Sequence, residues 1–216
     1  MSIQKSEIKL DVGGKPVNAY LASPVNGGPG VLVLHAWWGL KPFFKLFCDR
    51  LAEQGFTVLA PDLRDGQIAK TIEEAKELMA KSDGQFIGQT VFTAKDHLRE
   101  MTKDRIGLVG FSMGAAWALI VSSTVPDQVA ATVLFYGNED VDVTKITAKV
   151  MGHFSDNDEW EPLFHDRFLS SSCMVRGMRR PSSSPAAMTL MVKSWVEKDV
   201  SELVALTVMV WLAAAS

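Results

Sequence analysis

The sequence is poor in cysteine and has no apolar run long enough to cross a bilayer. Its two cysteines, Cys48 and Cys173, are too few for a disulfide scaffold and lack the spacing of metal ligands. The longest apolar stretch, residues 203–215, is shorter than the roughly 20 residues that a membrane helix needs. We therefore expect no membrane association and no metal or other cofactor.

The sequence also has no excess of positively charged residues. The net charge is -3, with 22 lysines and arginines against 25 aspartates and glutamates, so no nucleic-acid partner is expected. The first residues show no positive start followed by an apolar run, so we expect no signal peptide and a cytoplasmic location. Glycines 27, 28 and 30 precede a strand-like run instead of following one, which argues against a phosphate-binding loop.

Strand-like runs alternate with helical segments along most of the chain. The apolar runs are continuous, which is typical of parallel strands that are buried on both faces. These features predict an α/β fold with a mostly parallel sheet flanked by helices and an N-terminal hairpin around Gly13 and Gly14. The predicted strands are 7–12, 17–23, 31–35, 56–60, 106–109, 130–136 and 148–154, and the predicted helices are 42–51, 72–82, 86–102 and one from Ala115.

The pattern G-x-S-x-G occurs at residues 110–114, between a predicted strand and a predicted helix. A serine on so tight a turn needs neighbours without bulk, and Gly110 and Gly114 meet that need. The turn lifts the hydroxyl out of the sheet and directs the free amides of the helix start toward a developing oxyanion. The pattern predicts Ser112 as a nucleophile. The alternative is a packing turn in which Ser112 only caps the helix.

A serine nucleophile needs a base that is oriented by a carboxylate. An acidic segment follows the predicted strand 148–154, at the same sheet edge as Ser112, and its candidate acids are Asp156, Asp158 and Glu159. The segment is alternatively a solvated helix start that is capped by Asp156 or Asn157.

The loop after strand 31–35 is the expected source of a second oxyanion donor. Its backbone N–H at Trp37 and that of Met113 are the two predicted oxyanion donors. The rings of Trp37 and Trp38 either line an apolar acyl pocket or pack into the core.

Five segments occur in a fixed order within residues 1–162: VLVLHAWWGL, FTVLAPDL, DRIGLVGFSMG, VLFYG and GHFSDNDEWEP. Together they resemble the dienelactone hydrolase family of α/β-hydrolases. The resemblance implies an α/β-hydrolase fold without a cap domain and a small ester or lactone as substrate. It implies Ser112 as nucleophile and Asp158 as the triad acid, and it supports Trp37 and Met113 as oxyanion donors.

Three features depart from that family. Its founding members carry cysteine where this chain has Ser112, and glutamate where it has Ala36, which fits a serine enzyme and argues against dienelactone itself as substrate. The family also places its catalytic histidine beyond the acid, in a Gly-His loop after a final strand, whereas residues 166–216 contain no histidine.

The four histidines are therefore weighed separately as candidate bases. His35 is expected to be a hydrogen-bonded residue of the oxyanion loop, and His97 to lie on a solvated helix face. His153, which ends a predicted strand, and His165 are weak candidates for the base.

The composition changes near residue 163. Residues 163–216 hold one of the 16 glycines but half of the ten methionines. We predict an α/β-hydrolase core over 1–162 and an atypical segment over 163–216, replaced or frame-shifted, without the last strand and the histidine loop. Two functions follow: a serine hydrolase, or a degenerate hydrolase fold that is catalytically weak or inactive. The oligomeric state is left open.

Overall fold

The computed structural model describes residues 2–153, which form a seven-stranded sheet with helices on both faces. The acidic segment 156–159, His165 and the predicted segment 163–216 lie outside the described residues, so the two-part division of the chain stays a prediction. The strands are β1 (Ile3–Val12), β2 (Lys15–Pro24), β3 (Gly30–Leu34), β4 (Thr57–Pro61), β5 (Ile106–Phe111), β6 (Val129–Phe135) and β7 (Lys149–His153). The α-helices are α1 (Pro42–Glu53), α2 (Ile72–Ala80), α3 (Gly84–Thr102) and α4 (Met113–Thr124), with 3-10 turns at Pro126–Gln128 and Val143–Lys145.

The sheet is mostly parallel, as predicted. Its strand order is β1-β2-β4-β3-β5-β6-β7. The strands from β4 to β7 pair in parallel, whereas the N-terminal hairpin of β1 and β2 adds an antiparallel edge. The fully buried β3 lies between β4 and β5, so its carboxyl end is surrounded by the ends of other parallel strands.

Continuous apolar runs arise because each central strand contributes to two separate cores. In β3, Leu32 and Leu34 pack against residues of α3 and α4, whereas Val31 and Val33 pack against residues of α1. Because both faces of β3 are buried, the strand lacks the alternation of apolar and polar residues that a half-exposed strand shows.

The predicted helix bounds agree with the structure to within two residues. Helix α1 starts at Pro42, buries Phe44, Phe47 and Leu51, and is followed by Gly55 in the left-handed region at φ 102. Helix α4 starts at Met113, two residues before the predicted position, because β5 extends to Phe111 and leaves Ser112 as the single linking residue. In residues 2–153, no helix combines the length and apolarity that crossing a membrane requires.

The first turn of α4 lies directly on the carboxyl end of β3. A Cβ atom on Gly114 would lie 2.1 Å from the carbonyl oxygen of Leu34 and 2.8 Å from that of His35. A Cβ atom on Gly110 would lie 2.3 Å from the carbonyl oxygen of Gly114. The two glycines of the G-x-S-x-G pattern therefore permit a backbone approach that no larger residue allows.

Replacing Gly114 by alanine is expected to lower the free energy of unfolding by about 3 kcal/mol, because the new methyl group overlaps main-chain atoms that cannot rotate away. Chemical denaturation followed by circular dichroism measures the effect. Gly84→Ala, at the first residue of α3, is the matched control, since no atom lies within 4 Å of its added Cβ. Equal stability of the two variants would contradict the contact.

Candidate active site

Ser112 has a strained backbone at the junction of β5 and α4. Its φ is 50 and its ψ is -116, a conformation that costs a residue with a side chain on the order of 1–3 kcal/mol. Three hydrogen bonds hold it there: its N–H donates to the carbonyl of Phe135 at 2.9 Å, and its carbonyl accepts from the N–H groups of Ala115 at 2.8 Å and Ala116 at 3.2 Å. The last residue of β6 and the first turn of α4 thus impose the strained conformation on Ser112.

The turn after β6 supports Ser112 from behind, a contact that sequence reasoning did not find. A Cβ atom on Gly137 would lie 2.2 Å from the carbonyl oxygen of Ser112 and 2.7 Å from its Cα. The preceding residue, Tyr136, has φ 39 and donates its N–H to the carbonyl of His153 at 2.9 Å. Gly137, which ends the VLFYG segment, was the available sequence signal for this contact. Its partner, Ser112, is remote in sequence, so the signal did not identify the contact.

The hydroxyl of Ser112 does not cap α4. Ser112 occupies the N-cap position, yet its side chain makes no hydrogen bond to the amides of the first turn. The interpretation of Ser112 as a mere helix cap is therefore wrong. Met113 is the first helical residue, so its N–H has no acceptor within the helix and contributes to the positive end of the helix dipole.

Trp37 lies in the loop that continues β3, next to the turn that holds Ser112. In the parallel pairing of β3 and β5, Leu34 is opposite Gly110, so the residues after each strand emerge side by side. The Trp37 and Trp38 rings meet edge to face at 5.7 Å and pack, partly buried, at the border of the core on the α1 side. The indoles are thus neither fully in the core nor fully in solvent.

His35 is a hydrogen-bonded residue of this loop, as predicted, and the structure shows that it is also fully buried. Its Nδ1 lies 2.7 Å from the carbonyl oxygen of Ala36, and its Nε2 accepts the N–H of Leu63 at 2.9 Å. Burial lowers its pKa from 6.5 to about 4; the Ala36 carbonyl and Asp62 act in the opposite direction, and Arg64 adds to the lowering. Both ring nitrogens are engaged, so His35 is not placed to act as the base.

A buried arginine beside the elbow is a second feature that sequence reasoning missed. Arg64 is only 5% exposed, and its Nη2 lies 3.1 Å from the Sδ of Met113. The same guanidinium donates to the carbonyl of Leu78 at 3.2 Å and contacts Ser82 and Met79 near the end of α2. Burial lowers the pKa of Arg64, while Asp62 raises it, and the guanidinium stays charged. A buried cation therefore contacts the side chain of Met113, the residue whose backbone N–H is a predicted oxyanion donor.

His153 ends β7 at the same edge of the sheet as Ser112. Its ring stacks on Phe135 at 4.7 Å with an interplanar angle of 7°, and Phe135 stacks on Phe111 at the same distance and angle. Partial burial lowers the pKa of His153, which keeps its ring neutral at physiological pH. His153 stays a candidate for the base.

The remaining candidates are either remote or not described. His97 is only partly exposed in the last two turns of α3, near the opposite end of the sheet from Ser112, because α3 runs antiparallel to the strand that follows it. Asp158, the predicted triad acid, and its alternatives Asp156 and Glu159 lie outside the described residues. Their roles stay predictions.

The buried His35 predicts a pH-dependent stability. Between pH 6.5 and 4 the unfolded chain binds a proton at His35 that the folded chain excludes, so the free energy of unfolding falls as pH falls. The expected loss from this residue is about 2 kcal/mol between pH 7 and pH 5. Urea denaturation at both pH values measures it. His35→Asn has no titrating ring, and an identical pH dependence in this variant would refute the assignment.

Two relatives share about a third of their aligned residues with this chain. The protein named usf from Aquifex pyrophilus is 34% identical over 153 residues, which are 66% of this chain and 64% of the relative. An Aquifex aeolicus protein assigned as a carboxymethylenebutenolidase is 33% identical over 139 residues, which are 60% of each chain. The chain thus spans less than two thirds of the length of both relatives.

A solved structure establishes the fold. A Klebsiella pneumoniae protein assigned as a dienelactone hydrolase matches with a TM-score of 0.78 over 99% of each chain, at 20% identity. The predicted α/β-hydrolase fold is thereby confirmed. The sequence profile of the dienelactone hydrolase family matches residues 17–168, which include the strained serine turn and the loop beside it. The chain belongs to the dienelactone hydrolase family.

Proposed function

We propose that this protein is a serine hydrolase of small esters or lactones with Ser112 as its nucleophile. The observation that carries the proposal is the backbone of Ser112, held at φ 50 and ψ -116 with a hydroxyl that does not cap α4. A strained serine at this junction has no packing function that a glycine would not perform better. Strain of this kind is typical of a residue whose side chain must be presented to a substrate.

The proposed reaction proceeds through an acyl-enzyme. Ser112 Oγ attacks the acyl carbon while a base removes the hydroxyl proton, and the carbonyl π electrons move onto oxygen. The amides of Met113 and Trp37 stabilise that oxyanion. Collapse expels the leaving oxygen, which takes the proton from the base, and water then hydrolyses the acyl-enzyme by the same steps. Asp158 orients the base in this proposal.

The substrate class rests on the family and on the short connection between β6 and β7. The family's name denotes the hydrolysis of a lactone. The connection from β6 to β7 contains one 3-10 turn, Val143–Lys145, and no inserted domain that would cover the site. Position 36 holds the fully buried methyl group of an alanine, where the founding members carry a glutamate that controls the proton of their thiol nucleophile. The alanine fits a hydroxyl nucleophile, which does not need that glutamate. Small substrates other than dienelactone itself are favoured.

A catalytically weak or inactive hydrolase fold is the alternative. The observation that favours it is the lack of histidine among residues 166–216, where the resemblance places the base. His153, stacked on Phe135 at the end of β7, is the candidate base among the described residues. Without an effective base, only the contribution of the oxyanion donors and of binding would remain.

A fluorophosphonate probe separates the two functions. We expect rapid labelling of the folded wild type, loss of labelling in Ser112→Ala, and unchanged labelling in Ser123→Ala, a matched serine on the partly exposed side of α4. Intact mass spectrometry and peptide mapping locate the label, and p-nitrophenyl acetate hydrolysis reports turnover. Folded wild-type protein that stays unlabelled would establish the inactive alternative.

The same probe identifies the triad acid. Because a carboxylate that orients the base affects the rate by about 10⁴, Asp158→Asn should slow labelling by roughly that factor. Asp156→Asn and Glu159→Gln are expected to stay within about tenfold of the wild type, since loop acids outside the triad act only through their charge. If one of these two is the slow variant and Asp158→Asn is not, the assignment of Asp158 is wrong.

A further inference from the structure

We propose that His35 is a positioning residue that sets the direction of the Trp37 amide. The inference rests on the proposed function, in which the Trp37 amide is one of the two oxyanion donors. His35 does not touch the reacting atoms in this proposal. It acts through the peptide unit between Ala36 and Trp37.

The peptide unit between Ala36 and Trp37 has a fixed geometry. The carbonyl of Ala36 and the N–H of Trp37 belong to one planar group and point in opposite directions. Whatever fixes the carbonyl therefore fixes the N–H. The Ala36 carbonyl oxygen has two partners: the Nδ1 of His35 at the shorter distance of 2.7 Å, and the N–H of Gly39 at 3.3 Å. Donation to that carbonyl also polarises the peptide unit and makes its N–H a stronger donor.

A second hydrogen bond determines which ring nitrogen carries the proton. The backbone N–H of Leu63 lies 2.9 Å from Nε2 of His35 and can only donate, so Nε2 must be an unprotonated acceptor. The remaining nitrogen, Nδ1, then carries the hydrogen that the Ala36 carbonyl accepts. Complete burial favours the neutral ring, so a single tautomer is held in place.

The turn after β4 keeps Leu63 in position. The carboxylate of Asp62 accepts the N–H of Arg64 at 2.9 Å and that of Gly66 at 2.6 Å, which closes the turn around Leu63. The N–H of Asp62 donates to the carbonyl of Asn18 at 2.8 Å, so the turn is anchored to the neighbouring strand β2. The imidazole of His35 thus links the Ala36–Trp37 peptide unit to β2 and β4.

Two substitutions that introduce amide side chains test the two hydrogen bonds of His35 separately. In His35→Asn the side-chain NH₂ occupies the place of Nδ1 and keeps the donation to the Ala36 carbonyl. In His35→Gln the amide reaches the place of Nε2, so it accepts from Leu63 but loses that donation. His97→Asn, on α3, is the matched control for a histidine-to-asparagine change. Thermal unfolding checks that each variant is folded.

The readouts are the rate of fluorophosphonate labelling and the ¹H–¹⁵N resonance of the Trp37 amide. We expect His35→Gln to slow labelling by about tenfold or more, because one oxyanion donor is misdirected. His35→Asn should recover the rate to within about threefold of the wild type, and only His35→Gln should move the Trp37 resonance strongly. Equal labelling of the two variants, with the Trp37 resonance unmoved in His35→Gln, would overturn the inference.

A measurement on the wild type keeps the test independent of folding and of activity. The ¹⁵N shifts of the imidazole distinguish the Nδ1–H from the Nε2–H tautomer. Protonated Nδ1 supports the inference, and protonated Nε2 overturns it even if neither variant folds. If the wild type is not labelled at all, the proposed function fails, while the tautomer and the Trp37 resonance still decide the role of His35.

Discussion

The contact between the first turn of α4 and the carboxyl end of β3 holds the candidate site together. A Cβ atom at Gly114 would lie 2.1 Å from the carbonyl of Leu34, so the helix and the strand approach at the limit that backbone atoms allow. That approach brings the amide of Met113 beside the loop that carries Trp37. Because the contact is between backbones, no change of side-chain rotamer can widen or narrow it.

Backbone groups around Ser112 stabilise its strained conformation. The unfavourable φ of Ser112 is maintained by the carbonyl of Phe135 and by the close approach of Gly137. The supporting groups belong to the end of the buried strand β6 and to the turn that follows it. A local conformation that is unfavourable by itself is therefore stable as part of a rigid core.

His35 and Asp62 are buried under the site, and each forms specific hydrogen bonds with backbone groups. His35 bridges Ala36 and Leu63, and Asp62 binds the backbone of its own turn. Such groups are costly to bury alone and rigid once paired. They connect the loop after β3 to the turn after β4.

Local patterns were enough to predict most of the fold and part of the site. The continuous apolar runs predicted the buried parallel strands, and the spacing of glycines around Ser112 predicted a strand-to-helix turn, since both are short-range consequences of sterics and burial. Tertiary structure alone decided that Leu63, 28 residues from His35, selects its tautomer, that Gly137 supports Ser112, and that Arg64 contacts the sulfur of Met113. These pairs are distant in sequence, and they meet only because the parallel sheet aligns the ends of β3, β4, β5 and β6 at one edge.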